Sequence, residues 1–173
     1  MSDNKDASDE QKSIDAAESS QNEWTVHPAN EAHIAAVRQL LLECVPKAGE
    51  CSLLYLKWLR SAPQCRLFVV EVDAQVVACA LLLAQVDHTT CRFGHIQALC
   101  VASGFRRRGI ASALLGAAHN WFATFGAKYG ALHVPKKASG PRALYAKHGY
   151  SRESLKKNYY ENGDAALLLK KHF

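Results

Sequence analysis

The chain has 173 residues, is 49% hydrophobic and 21% charged, and carries six cysteines and a formal net charge of +5. That is one domain's length with apolar material for a sizeable core; no apolar run approaches the ~20 residues that span a bilayer, and the polar N-terminus has no secretory leader. The cysteines (44, 51, 65, 79, 91, 100) form no C-x-x-C pair and no His-partnered spacing, which excludes a zinc site or disulfide framework and points to a reduced, cytosolic protein.

Charge is unevenly divided. Residues 1–23 hold seven acids and two lysines, whereas the remaining 150 hold nine acids against 19 Lys and Arg. The first segment is too polar to offset its ordering entropy and reads as a disordered acidic tail. The rest, 24–173, reads as one basic domain, and a basic domain suits an anionic partner.

Trp24 to His27 alternates as a short strand that Pro28 stops. Asn30 is placed to cap a helix with apolar positions Ile34, Val37, Leu40, Leu41 and Cys44, broken at Pro46 and Gly49. Leu53 to Arg60 reads as a second helix, closed by Pro63. Arg66–Val72 and Val76–Val86 are strands about a tight turn at Asp73-Ala74-Gln75, and Arg92–Val101 is a third. A helix is expected from about Arg108 to Phe125, a strand over Lys128–Val134, and a short helix over Gly140–Lys147. Two last strands, Ser151–Tyr160 and Asp164–Lys170, flank Asn162-Gly163 as the turn. The order β α α β β β α β α β β predicts a mixed α/β fold with a central, mostly antiparallel sheet.

Within that order, Gly94 to Ala117 is the stretch with chemical content. An apolar strand enters a glycine-bearing loop with Arg106, Arg107 and Arg108, and Gly109-Ile110-Ala111-Ser112 then opens a helix. The first helical turn has unpaired N–H donors and the positive dipole end, so this arrangement aims backbone at an anion such as a phosphate.

Arg106-x-x-Gly109-x-Ala111 resembles the acyl-CoA pyrophosphate loop of the GNAT acetyltransferases, and Pro141 to Tyr150 resembles that superfamily's second signature, with Tyr145 at its tyrosine and Gly149-Tyr150 at its Gly-Phe. Pro141 replaces the usual Ala and Ala138 the usual Asn. Gly94-His95-Ile96, Ala127-Lys128-Tyr129, Leu132-His133-Val134, Asn158-Tyr159-Tyr160 and Asn162-Gly163-Asp164-Ala165 narrow the likeness. It is closest to the catalytic subunits of N-terminal protein acetyltransferases of the NatA and NatE types, and runs from Trp24 to Phe173.

The resemblance implies a GNAT fold, acetyl-CoA as co-substrate, no metal, and acetylation of protein α-amines. Tyr145 would protonate the leaving sulfur. His133 is the NatE-like base, and His95 matches the NatA type where NatE types carry a catalytic Tyr. Leu99, Cys100, Val101, Arg106, Arg107, Arg108, Gly109, Ile110, Ala111, Ser112, Ala138 and Lys147 would hold the cofactor. Tyr159, Tyr160 and Pro46 would line the peptide side, with Gln97 as a further polar candidate there. Adjacent tyrosines on a strand face opposite ways, so one of the two rings would enter the cleft. The glutamate that NatA types use is Lys47 here, with Glu50 nearby. Protein N-termini are the implied partners, with an auxiliary subunit and through it the ribosome; no membrane and no direct nucleic-acid role is implied. Two alternatives stay open: a lysine or small-molecule acetyltransferase on the same fold, and a non-catalytic basic subunit associated with ribosome or RNA.

Overall fold

The computed structural model describes residues 24–44 and 52–173. The acidic tail, Pro46, Lys47, Glu50 and Cys51 lie outside them.

Seven strands form one sheet in the order β1-β2-β3-β4-β5-β7-β6: β1 Val26–Pro28, β2 Cys65–Val72, β3 Gln75–Val86, β4 Arg92–Val101, β5 Tyr129–Pro135, β6 Ser151–Lys156 and β7 Ala166–His172. Every neighbouring pair is antiparallel except β4 with β5. A parallel pair needs a crossover, supplied here by the Arg106–Gly109 loop and helix α3 (Ile110–Thr124). Helices α1 (Ile34–Cys44) and α2 (Leu53–Ser61) cover the opposite face, and α4 (Ser139–Lys147) follows β5. This is the mixed α/β, mostly antiparallel architecture expected from the order of elements.

Local chemistry sets the element ends. Asn30 accepts from Ala32 N–H at 2.9 Å while His33 Nδ1 accepts from Asn30 N–H at 3.1 Å, a reciprocal cap that opens the turn leading into α1. Ser52 Oγ caps α2 by accepting from Tyr55 N–H at 3.1 Å. Asp73 and Ala74 both have positive φ (49° and 61°), as a two-residue hairpin turn requires.

The sheet separates two cores. Val70, Ala80, Leu82, Ile96, Leu132 and Leu167 meet Leu114, Leu115 and Phe122 of α3. On the other side Val69, Cys79, Leu81 and Cys100 meet α1 and α2. β3 is covered on both faces, which explains its nearly unbroken apolar run. None of the five described cysteines is in a disulfide, and Cys65, Cys79 and Cys100 are buried. Gly94 is where α3 presses closest: a Cβ there would sit 2.2 Å from the Phe122 ring.

One expectation fails at the C-terminal hairpin. β6 stops at Lys156 and β7 starts at Ala166, so Tyr159 and Tyr160 lie in a loop and strand alternation does not govern them. Asn158 takes φ +49°, and Tyr159 and Tyr160 N–H both donate to the Asp164 carbonyl, at 3.0 and 3.1 Å. The Asn162-Gly163 turn exists, with Gly163 at φ +79°, but it closes the tip of this longer loop.

Candidate active site

β4 and β5 pair only from Phe93 with Tyr129 to Ile96 with Leu132. Beyond that rung they part, for a visible reason. Leu81 faces Ala98 while Leu82 faces Ile96, so Gln97 is an extra residue in β4, and a bulge bends and twists its strand. β5 meanwhile stays with β7 as far as Pro135 with Ala166. The bulge also resets the alternation, sending Leu99 and Val101 to the α3 core and Ala98 and Cys100 to the other.

Backbone groups along the gap follow from the ladder. Ala102 N–H donates to the Val77 carbonyl at 2.8 Å. Bonded pairs alternate in antiparallel sheet, so Cys100, opposite Cys79, spends its N–H and C=O on β3. Leu99 and Val101 therefore turn theirs toward the gap. The Val101 carbonyl accepts there from Arg106 Nε at 3.1 Å.

At the gap's end stands the N-terminus of α3. Its N-cap is Gly109, at φ +82° with no side chain to offer the first turn. Ala113 N–H already bonds the Gly109 carbonyl at 3.1 Å, which leaves the N–H groups of Ile110, Ala111 and Ser112 without intrahelical acceptors. A Cβ at Gly109 would touch nothing, so glycine is required by conformation and the space ahead is open. The three arginines differ: Arg106 is held on Val101, Arg107 takes φ +65°, and Arg108 lies over the Phe105 ring at 5.1 Å. Ser112 Oγ is 2.9 Å from His148 Nε2, linking this turn to the end of α4. Ala138 caps α4 with backbone alone. Lys147 is exposed beside His148, whose pKa is lowered by burial and then by Lys171 and Lys147. Backbone donors, arginine charge and an open approach together suit a pyrophosphate.

His95 and His133 lie on the α1–α2 face. His95 stands opposite Ala131, His133 opposite Leu168, and Leu168 opposite Ser154, while the alternate residues Leu132, Val134 and Leu167 belong to the α3 core. The two imidazoles meet edge-on with centroids 5.7 Å apart. Tyr159 stacks on His133 at 4.5 Å and 15°. Both ring nitrogens of His133 are buried without a hydrogen-bond partner, an arrangement rare enough in folded proteins to need a reason. Burial, then the charges of Lys156 and His95, push its pKa down to about 4. Burial and Lys156 also lower that of His95. Both rings are thus neutral at pH 7 and each keeps an acceptor nitrogen. Gln97 Nε2 reaches Tyr55 Oη of α2 at 3.5 Å.

Tyr145 lies on the other face. It is 8% exposed, belongs to the α3 core, and meets Tyr150 edge-on at 5.9 Å. Burial, then Cys100 and Tyr160, push its phenol up to about 12, so it remains a proton donor across the physiological range. Behind it Tyr150 Oη is 3.0 Å from His119 Nε2. Burial raises the Tyr150 phenol and lowers His119 to about 4, so the phenol donates to a neutral ring. Tyr160 meets Tyr159 edge-on at 5.0 Å.

The structure therefore brings Leu99, Val101, the Arg106–Ser112 turn, His95, His133, Tyr145, Tyr159 and Tyr160 around one opening, and Gln97 at its bulge. Two residues were not singled out from sequence. Tyr55 belongs to an amphipathic helix and reads as packing. Lys156 is one of many lysines, and only the strand register, Lys156 beside Ala166 and Ala166 beside Pro135, carries it to the His133 face.

Residues 63–152 match the acetyltransferase (GNAT) domain. The chain belongs to the GNAT acetyltransferase family. An uncharacterized N-acetyltransferase of Methanocaldococcus jannaschii is 34% identical over 111 residues, 63% of this chain and 67% of that one. The N-terminal acetyltransferase A complex catalytic subunit NAA10 of Arabidopsis thaliana is 26% identical over 141 residues, covering 80% and 72%. Among solved structures, that of the NatC complex bound to Gag peptide and CoA superposes with a TM-score of 0.76 at 19% identity, over 87% of this chain and 98% of that one.

Proposed function

We propose that the protein transfers the acetyl group of acetyl-CoA to the α-amino group of peptide N-termini. The observation that carries the reading is His133: a neutral imidazole with two buried, unpartnered nitrogens, beside a gap whose far side holds a protonated tyrosine. An α-amine, with pKa near 8, is roughly a tenth neutral at pH 7, whereas a lysine amine near 10.4 is far less so. A weak neutral base is sufficient for the first and poorly matched to the second. The likeness to N-terminal acetyltransferase subunits supports the same choice.

In this scheme the first turn of α3 and Arg106 to Arg108 hold the CoA phosphates, and the acyl arm lies in the gap along Leu99 and Val101. The amine nitrogen approaches from the His133 face and bonds to the carbonyl carbon. Charge developing on the oxygen is met by gap-facing backbone N–H, fixed in place before reaction. His133, directly or through one water, takes the proton shed by nitrogen. As the C–S bond breaks, Tyr145 Oη gives its proton to sulfur and is reprotonated from solvent. Tyr159 covers His133 and walls the peptide side.

Acetyl transfer to a panel of peptides tests the assignment: free Met-Leu, Ser, Ala and Thr N-termini, N-terminally blocked peptides with free lysines, and a polyamine. Transfer confined to free N-termini is expected. Transfer only to lysine or polyamine would replace the acceptor while keeping the family chemistry, and RNA binding without acetyl-CoA binding would replace the enzyme reading altogether.

A further inference from the structure

The peptide side of the gap carries an exposed cation, Lys156. Lys137 is bound to Asp164 at 2.8 Å, and Lys170 to Glu153 at 3.1 Å. The Lys156 ammonium lies instead 5.8 Å from the centre of the Tyr159 ring. That ring is stacked 4.5 Å from His133. The ammonium is thus within about 10 Å of the His133 ring, the span of two to three residues of extended chain at roughly 3.4 Å each. Its strand position on the same face as His95 and His133 follows from the register. The side chain is exposed, so it is available to a ligand rather than consumed by the fold.

Resting on the N-terminal reading above, we infer that Lys156 is a specificity residue that favours peptides with an acidic side chain at their second or third residue. An amine seated at His133 sends its chain outward past Tyr159, and a carboxylate one or two residues along arrives at the exposed ammonium. A lysine in the same place meets like charge. The positive charge of Lys156 also acts on both histidines, lowering their pKa after burial has done so. Because the contact is remote from the reacting atoms, it acts on peptide binding and appears in KM.

The test uses the full chain, acetyl-CoA, and three peptides that share a first residue and differ only at positions two and three: Asp-Glu, Asn-Gln and Lys-Lys. Wild type should prefer the acidic peptide over its amide isostere by about three- to fivefold in kcat/KM, the range of an exposed ion pair. The preference should shrink as salt rises. Lys156→Gln should abolish the preference, and Lys156→Glu should shift it toward Lys-Lys. The same reversal at Lys128, at the far end of β5, should leave the ratio alone. An unchanged acidic-to-amide ratio in Lys156→Glu overturns the assignment while the Nα activity stands. Lysine side chains acetylated in place of every free N-terminus would instead remove the reading on which it rests.

Discussion

Gly94→Ala is the sharpest packing test the structure offers. The added methyl carbon would sit 2.2, 2.3 and 2.4 Å from Cδ1, Cγ and Cδ2 of Phe122, where ordinary contact needs more than 3.4 Å. Relief therefore takes a separation of over 1 Å. The atoms struck are at the root of the ring, so rotation about its own axis does not help. Phe122 is fully buried, with Trp121 and Phe173 beside it. The C-terminal half of α3 must lift off β4. Overpacking of this kind costs about 3 kcal/mol, equivalent to a fall in Tm of roughly 6–12 °C for a chain of this size. Thermal unfolding of four proteins reads it: wild type, Gly94→Ala, Phe122→Leu and the double variant. Phe122→Leu alone should cost ~2 kcal/mol, and the double should be no worse than Phe122→Leu, a coupling of more than 1 kcal/mol. A Gly94→Ala protein as stable as wild type, or additive losses in the double, would refute the contact.

Tyr145→Phe keeps the ring that packs on Tyr150 and removes only the proton donor. It should lower kcat by about 10²–10³-fold with Tm and KM for acetyl-CoA nearly unchanged; undiminished turnover removes Tyr145 as the acid. Since His133 stays neutral down to about pH 4, the acid limb of kcat/KM should follow the substrate's α-amine near pH 8 rather than an enzyme histidine. A limb that stays put when the peptide's amine pKa is changed contradicts this. Ala74→Gly should raise Tm by about 1–3 °C, because Ala74 holds φ +61° in the β2–β3 turn, a conformation glycine takes without strain. His119 is lowered to about 4 by burial, Lys171 and His148, so the unfolded chain takes up the proton first. Its contribution to stability is complete above about pH 6.5 and is lost as pH falls toward 4. His119→Gln, still able to accept from Tyr150, should lose less Tm between pH 7.5 and 4.5 than wild type; parallel losses would discharge His119 from that role.

Element order was legible because each signal is local: Asn30 caps, Asp73-Ala74 turns, and α3 shows its apolar stripe. The bulge at Gln97 was not, since two residues opposite one leave no mark in composition. With it went the assignment of Leu99 and Val101 to one face and Cys100 to the other, and the fact that Cys100 spends its backbone on β3. Tyr159 and Tyr160 misled for a related reason. Strand alternation does not reach them, because β6 ends at Lys156 and Asn158 then turns the chain at positive φ. Lys156 needed two successive registers, β6 to β7 and β7 to β5, before its neighbourhood with His133 appeared. The loop at Arg106 to Ser112 was the most readable part of the site, because anion binding by a helix start is written in contiguous residues.

The opening between β4 and β5 also constrains the order of events. It is a window in a wall, with the Arg-Gly loop and Tyr145 at one sill and the histidines at the other. Reactants arriving from opposite sides do not block each other's entrance. Among the described residues, Cys100 on β4 is turned into the α1–α2 core at 2% exposure, while Cys44 Sγ lies 3.8 Å from the gap-facing Val101 carbonyl. Direct attack of the amine on the thioester, as proposed above, makes turnover run through a ternary complex. Double-reciprocal plots should then intersect, acetyl-CoA alone should leave no acetylated enzyme behind, at Cys44 or elsewhere, and each product should depart by the side its parent entered.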